Sequence, residues 1–310
     1  MTRKEHAMGL PDKPRVCVVV VNLNGKDYIG EAIRSLQSQT YENLYMIVVD
    51  NGSTDESVAL IREQFPGVQV VENGRNLGFG GGNNIGMKIA MERGDEFVFL
   101  FNYDAIAAEG CVERLVARAV SDRAGMVGPK IFYYHDPSLL WSAGGVIRWW
   151  CGDVAHRGIR EKDRGQYDDI CEVDYLTACA VLIDTGLLMR IGLFDDAYFP
   201  SYFEDTDFCQ RARRAGCRLV YEPAATVWHR VSSFSGGGTT PLKVTLRFRN
   251  QWIFFRRWAS WYHWLTIPFC AGMGAALYVG GWAVRGQWHL IRALVRGIAA
   301  LPRRRTDQSQ

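Results

Sequence analysis

FVFLFNYDA, Phe97 to Ala105, is the stretch on which the reading of this chain turns. Its apolar residues run directly into Asn102-Tyr103-Asp104, the pattern of a buried strand that delivers a carboxylate to a sheet edge. Open α/β sheets bind ligands at such strand ends. An aspartate there often does no more than cap a turn, so the neighbouring stretches must decide.

Upstream, Val16 to Val21 is a continuous apolar and β-branched run that fits a central strand buried on both faces. It ends at Asn22-Leu23-Asn24-Gly25. Ile29, Ala32, Ile33 and Leu36 then recur at helical spacing, and Leu44 to Val49 is a second apolar run ending in Asp50, which completes a βαβ unit. Ser53 and Glu56 stand at capping-box spacing before Val58, Ile61 and Phe65. Val68 to Val71 reads as a third strand.

Asn73 to Asn84, NGRNLGFGGGNN, is expected to be a glycine-rich loop whose donors are Arg75, Asn76, Asn83 and Asn84. Gly78, Gly80, Gly81 and Gly82 invite a dinucleotide-binding reading, but that fingerprint belongs after the first strand of the unit, not the third. The bland alternative is a flexible loop. The spacing predicts helices over Ile85–Met91 and Val112–Ala119 and a strand over Met126–Ile131. Residues 132–172 lose periodicity and gain Trp141, Trp149 and Trp150, as an irregular insertion near the acceptor side would. Periodicity returns with Leu176–Ile183, Thr185–Ile191 and a helix from Phe203 to Ala215. That helix opens on Glu204, Asp205 and Asp207, acids that also stabilise a first turn with no catalytic role.

The chain has 310 residues, enough for a full α/β core and an appendage. A net charge of +3 is too mild for a nucleic-acid partner, and the arginines crowd toward the C-terminus, which points to a membrane surface. The eight cysteines form no CxxC framework and read as reduced thiols, hence a cytosolic compartment. The N-terminal MTRKEHAMGLPDKPR lacks an apolar core of the secretory type.

Together VVVVNLNG, IVVDNGSTD, FNYDA, FEDTDF and VWHRVSSFSGG resemble, in order and spacing over roughly residues 14 to 240, the nucleotide-sugar glycosyltransferases of family 2. NLGFGGGNN resembles the nucleotide-pocket loop of the family's rhamnosyltransferase-like members. The resemblance implies a GT-A fold, an α/β Rossmann-like mixed sheet flanked by helices, with a C-terminal helical membrane-associating extension. The expected organisation is a disordered lead (1–13), a GT-A domain (14–240) holding the 132–172 insertion, and C-terminal helices (241–310). One departure is Ala178, where the family usually has glycine; the methyl group puts sugar identity, not the reaction, in question.

The implied reaction is inverting, metal-dependent transfer of a sugar from a nucleoside-diphosphate sugar to a hydroxyl of a lipid-linked or cell-envelope polysaccharide acceptor. By similarity dTDP-rhamnose is the donor to test. The alternatives weighed are a nucleotidyltransferase, for which a basic glycine-rich loop after the first strand is missing, and an inactive sugar-nucleotide-binding protein, which would have lost Asp104, Asp205 or His229. By resemblance Asn22, Asp50, Arg75, Asn76, Gly78, Asn83 and Asn102 contact the nucleotide, although Asp50-Asn51-Gly52-Ser53 is equally good turn chemistry. Asp104 and His229 hold a magnesium or manganese ion that offsets charge on the leaving diphosphate. Asp205 is the base, and Glu204 and Asp207 are orienting or acceptor-side groups.

Trp258 to Val284 carries no formal charge apart from one that His263 would take on, and is long enough to span a bilayer. Arg247, Arg249, Arg256 and Arg257 precede it and Arg285, Arg292, Arg296 and Arg303 to Arg305 follow, so both flanks belong on the cytoplasmic face. Pro268, Gly272, Gly274, Gly280 and Gly281 suit a re-entrant or in-plane helical pair. Leu290, Ile291, Leu294, Val295, Ile298 and Leu301 then form the apolar face of an interfacial helix. The expectation is a peripheral or monotopic enzyme on the cytoplasmic face of the plasma or inner membrane. Packing on the catalytic domain or a homodimer through these helices is the competing use of the same faces.

Overall fold

The computed structural model describes residues 13–231 and 239–300. Most of the expected lead, Ser232 and Ser233, Leu301 and Arg303 to Arg305 lie outside the described residues.

The elements follow in the order β1 (Val16–Asn22), α1 (Ile29–Gln37), β2 (Leu44–Asp50), α2 (Ser57–Gln64), β3 (Gln69–Glu72), α3 (Gly78–Arg93), β4 (Phe97–Asn102), β5 (Ala105–Ala107), α4 (Cys111–Asp122) and β6 (Met126–Tyr133). The second half adds β7 (Leu140–Ser142), β8 (Gly145–Arg148), β9 (Asp153–His156), β10 (Cys171–Glu172), β11 (Ala180–Asp184), α5 (Thr185–Ile191), α6 (Glu204–Arg214) and β12 (Leu219–His229). The tail is α7 (Pro241–Trp258), α8 (Ile267–Val284) and α9 (Trp288–Ala299).

The main sheet runs β10-β12-β6-β11-β4-β1-β2-β3, with β5 on β12 and β7 on β6. β1, β2, β3 and β4 are parallel; β11 enters antiparallel between β4 and β6. This is the mixed sheet of a GT-A fold. Alternate residues of β1 serve opposite faces, as strand geometry requires. Val16, Val18 and Val20 pack with Ile29, Ile33 and Leu115, while Cys17 and Val19 pack with Met87, Ala90 and Phe208. Residues 132–172 form a β8–β9 hairpin and short edge strands, and all eight cysteines are free thiols.

Three local expectations are corrected. Of the stretch read as a glycine-rich loop, residues 73–77 are loop but Gly78 onward is the first turns of α3, where the helix lies so close to β1 that no side chain fits: a Cβ on Gly82 would lie 2.7 Å from Val21 Cγ1, and one on Gly86 2.2 Å from Val19 Cγ1. Helix-on-strand contact this close offsets the poor helix propensity of glycine. The capping box is absent: α2 begins at Ser57, Ser53 Oγ instead donates to Asp50 Oδ1 at 2.6 Å, and Glu56 pairs with Lys26 at 2.8 Å. Finally, Gly272, Gly274, Gly280 and Gly281 do not break the apolar tail; its division falls at Thr266, between a short 3-10 helix (Trp261–Leu265) and α8, with Pro268 in the first turn of α8 where a missing N–H costs nothing. α8 is one continuous helix, long and apolar enough to cross a membrane, with only 11% of it buried.

α7 joins the tail to the sheet. Its Phe254 and Phe255 are fully buried against Trp149, worth roughly 1.5–3 kcal/mol each by area removed from water. α8 and α9 complete a smaller cluster around Val244, Trp282, Leu290 and Leu294.

Candidate active site

The strand ends converge by register. β1 and β2 align so that Asn22 lies opposite Asp50, and β5 pairs with β12 so that Ala105 lies opposite His229. The second pairing carries the most chemistry. Asp104, 5% exposed, brings Oδ1 to 3.2 Å from His229 Nε2, and Asn102 Nδ2 lies 3.4 Å from the same nitrogen. Burial disfavours charge on His229, but Cys179 and the Asp104 carboxylate outweigh it and push its pKa up to about 10.

Asp205 reaches the same space from the start of α6. Its Oδ2 accepts from Ala178 N at 3.2 Å, and its Oδ1 accepts from Thr206 N at 2.7 Å. Burial raises its pKa in spite of these donors. Beside it, Glu204 is 5% exposed with Oε2 lacking any hydrogen-bond partner, and burial followed by repulsion from Asp205 pushes its pKa well up. Tyr202 and Phe203, at φ 77° and 75°, turn the chain sharply into this helix. α7 braces the turn, since Asn250 Nδ2 donates to the carbonyls of Ser201 at 2.9 Å and Tyr202 at 2.8 Å.

A cavity of about 950 Å³ is lined by Asn76, Gly78, Asn102, Asp104, Glu204, Asp205 and His229 of the sequence-predicted set. Asn22, Asp50, Arg75 and Asn83 do not line it. Asn22 donates to Asp50, Ser53 and Ser57, at 2.8, 3.0 and 2.9 Å. Asp50, 2% exposed, spends both oxygens on Asn22, Ser53 and the backbone N–H of Gly52 and Ser53, the turn chemistry weighed from sequence. Asn83 Nδ2 is turned back to the Phe79 carbonyl of its own helix, and Arg75 is exposed on the preceding loop, its backbone against Gly52. Asp207 is not at the cavity either: fully buried, it accepts from Tyr198, Arg211, Arg257 and Trp258 and ties α6 to α7.

Sequence reasoning missed Trp141, His156 and Tyr175 as lining residues. The Trp141 ring lies 4.5 Å from His156 and 4.6 Å from His229, centroid to centroid, and Tyr175 Oη is 3.0 Å from His156 Nδ1. Burial and then His229 lower the His156 pKa to about 4, so this ring is neutral. The tryptophans of the insertion were the only available signal, and no period ties them to a face.

Whether a divalent ion fits can be judged from these groups. Among the described residues no three or more His, Cys, Asp or Glu are placed to hold a metal ion together. One carboxylate and one imidazole suffice where substrate phosphates supply the remaining ligands, which is how hard divalent ions are often held. The residues present therefore fit the ion.

Residues 17–185 match the profile described as glycosyl transferase family 2. A Sinorhizobium fredii protein, y4gI, is 28% identical over 266 residues; the match covers 80% of this chain but only 28% of that protein's length. The Mycobacterium tuberculosis N-acetylglucosaminyl-diphospho-decaprenol L-rhamnosyltransferase is 26% identical over 274 residues, 79% of this chain and 85% of the relative. Among solved structures, the Pyrobaculum calidifontis mannosyltransferase PcManGT in complex with GDP-Man and Mn2+ superposes with a TM-score of 0.60 at 17% identity, over 93% of this chain and 87% of that one. By the profile match over more than half its length, with the mixed sheet in agreement, the chain belongs to glycosyltransferase family 2 and is a nucleotide-sugar glycosyltransferase of GT-A fold.

Proposed function

We propose that the protein transfers a sugar with inversion from a nucleoside-diphosphate sugar, dTDP-rhamnose being the first candidate, to a hydroxyl of a lipid-linked or envelope-polysaccharide acceptor. The observation that carries this reading is that Asp104, His229 and Asp205 line one cavity. The rhamnosyltransferase relative and the glycine-rich start of α3 support the choice of donor.

In this reading Asp104 and His229 hold a magnesium or manganese ion, which when bound offsets the charge that develops on the departing diphosphate. Asn102, Asn76 and Gly78 face the nucleotide. Asp205 accepts the acceptor hydroxyl's proton as that oxygen bonds to the anomeric carbon. The carbon–oxygen bond to the diphosphate breaks in the same step, and the nucleoside diphosphate leaves with the electron pair. Attack opposite the leaving group inverts the centre. Glu204 orients the acceptor, while Asn22, Asp50, Arg75 and Asn83 act on the nucleotide by shaping the loops beside it.

The tail is proposed to seat the enzyme on the cytoplasmic face of the membrane, with α8 lying in the interface. Phe269, Leu277 and Val284 are 73%, 75% and 90% exposed, and arginines stand on both sides of the helix. The proposed boundary between the catalytic unit and the membrane helices falls at residue 240, with α7 as the joint.

The test is a panel of dTDP-, UDP- and GDP-sugars offered to the full chain with manganese and with a chelator. Manganese-dependent binding and turnover of one donor class is the expected result. Binding of none, or equal binding with the chelator, would overturn the reading.

A further inference from the structure

One wall of the cavity has no part in the chemistry above. Lys243 and Arg247 stand one turn apart on α7, and Arg285 closes α8; they line the cavity with Phe248, Tyr278 and Trp282. The wall is packed: Phe248 meets Tyr278 edge-on at 6.1 Å, Tyr278 stacks on Trp282 at 5.3 Å, and Trp282 is 7% exposed. Lys243 is half-buried, and burial lowers its pKa, as for an ammonium drawn out of bulk water. Among the described residues, the carboxylate nearest Arg247 is Asp153, whose Oδ1 is 3.9 Å away, beyond hydrogen-bond length. The cavity's remaining acids, Asp104, Glu204 and Asp205, belong to the reaction end.

α8 therefore has two characters. One side presents aromatic rings and a cation to the cavity, and the other presents Phe269, Leu277 and Val284 to the outside. A ligand that satisfies both joins an anionic group to a long apolar chain.

We propose that Lys243, Arg247 and Arg285 form the phosphate site of the acceptor, a polyisoprenyl-type phosphate or diphosphate whose chain leaves along α8 into the bilayer. This rests on the reading of the acceptor as lipid-linked. Two guanidinium forks and an ammonium match a phosphate's charge and geometry, and Tyr278 and Trp282 offer an apolar wall with polar edges to the first chain units. The donor's diphosphate would find its counter-charge in the divalent ion that Asp104 and His229 would hold. The site thus adds specificity for phosphate-bearing acceptors to a reaction centre that has none of its own.

The test uses the full chain, wild type and the Arg247→Gln/Arg285→Gln double variant, sedimented with phosphatidylcholine vesicles. These are doped in turn with undecaprenyl phosphate, with undecaprenol, and with phosphatidylglycerol at matched charge. Binding of UDP and dTDP with manganese is measured in parallel by calorimetry. Wild type is expected to bind undecaprenyl phosphate vesicles at least about tenfold more tightly than undecaprenol vesicles, the worth of one good charged contact. The double variant should lose that increment and keep nucleotide binding, and Lys243→Gln should lose part of it. An equal loss on phosphatidylglycerol would reduce the cations to general bilayer attraction and overturn the proposal. Lost nucleotide affinity would do the same by assigning them to the donor, as would an unchanged increment. Failure of the wild type to bind either nucleotide would count against the donor reading alone, because the lipid arm is scored without it.

Discussion

His229 Nε2 and Asp104 Oδ1 lie 3.2 Å apart because β5 pairs with β12 in the register that sets Ala105 opposite His229. Both side chains are buried and within ion-pair distance of each other. Asp104→Ala is expected to abolish transfer and manganese-dependent donor binding, since it removes the carboxylate of the pair. His229→Ala should weaken manganese binding while leaving the fold's melting temperature within a few degrees. Calorimetric titration of manganese with donor checks both; donor affinity at the wild-type level in Asp104→Ala would refute the assignment.

Asp205→Asn is predicted to keep donor and metal affinity while kcat falls by roughly a hundredfold or more, the usual worth of a positioned base. Because burial raises the Asp205 pKa, the acid limb of the wild-type pH profile should lie above the ordinary aspartate range, with rate rising as pH passes through it. Substantial turnover of the variant at saturating acceptor would assign the base elsewhere.

Glu204 holds its proton more tightly in the folded state than unfolded, through burial and then Asp205. Its contribution to stability is fully present below the unfolded value of about 4.3 and is lost as pH rises toward the folded one. Glu204→Gln removes that loss. The variant should melt higher than wild type at pH 7.5 with a smaller gap at pH 5, and should transfer more slowly. A gap that does not change with pH would show that the carboxyl titrates normally.

Glycines should divide by location. Gly86→Ala sets a Cβ 2.2 Å from Val19 and is expected to cost about 1–3 kcal/mol by overpacking the α3–β1 contact. Gly280→Ala meets nothing within 4 Å and should gain about 0.5–1 kcal/mol in helix propensity. Denaturant melts of the two variants separate these signs.

Asp207→Ala leaves Arg211, Arg257, Tyr198 and Trp258 without their shared acceptor. A loss of about 3–5 kcal/mol is expected for breaking a buried ionic group, seen as a lowered melting temperature. A near-neutral Asp207→Ala would mean that α6 and α7 are held by packing alone.

What the sequence determined by itself was the order of strands and helices and the carboxylates at their ends. Val16–Val21, Phe97–Asp104 and the Glu204–Asp205 step are local strings, and burial of a single element imposes its period on the letters. What tertiary structure decided were pairings between elements, for which no period exists. Gly82 reads as part of a loop until Val21 is seen pressed against its backbone, as Val19 is against that of Gly86 one turn on. Asp50 reads as a free ligand until Asn22, Ser53 and two backbone N–H groups take up its oxygens. Asp205 and Asp207 look alike in a first helical turn, yet the helix turns one to the cavity and the other to Trp258. Arg247 and Arg285 read as flanks of an apolar segment, and join Lys243 in one cationic wall only because α8 folds back beside α7.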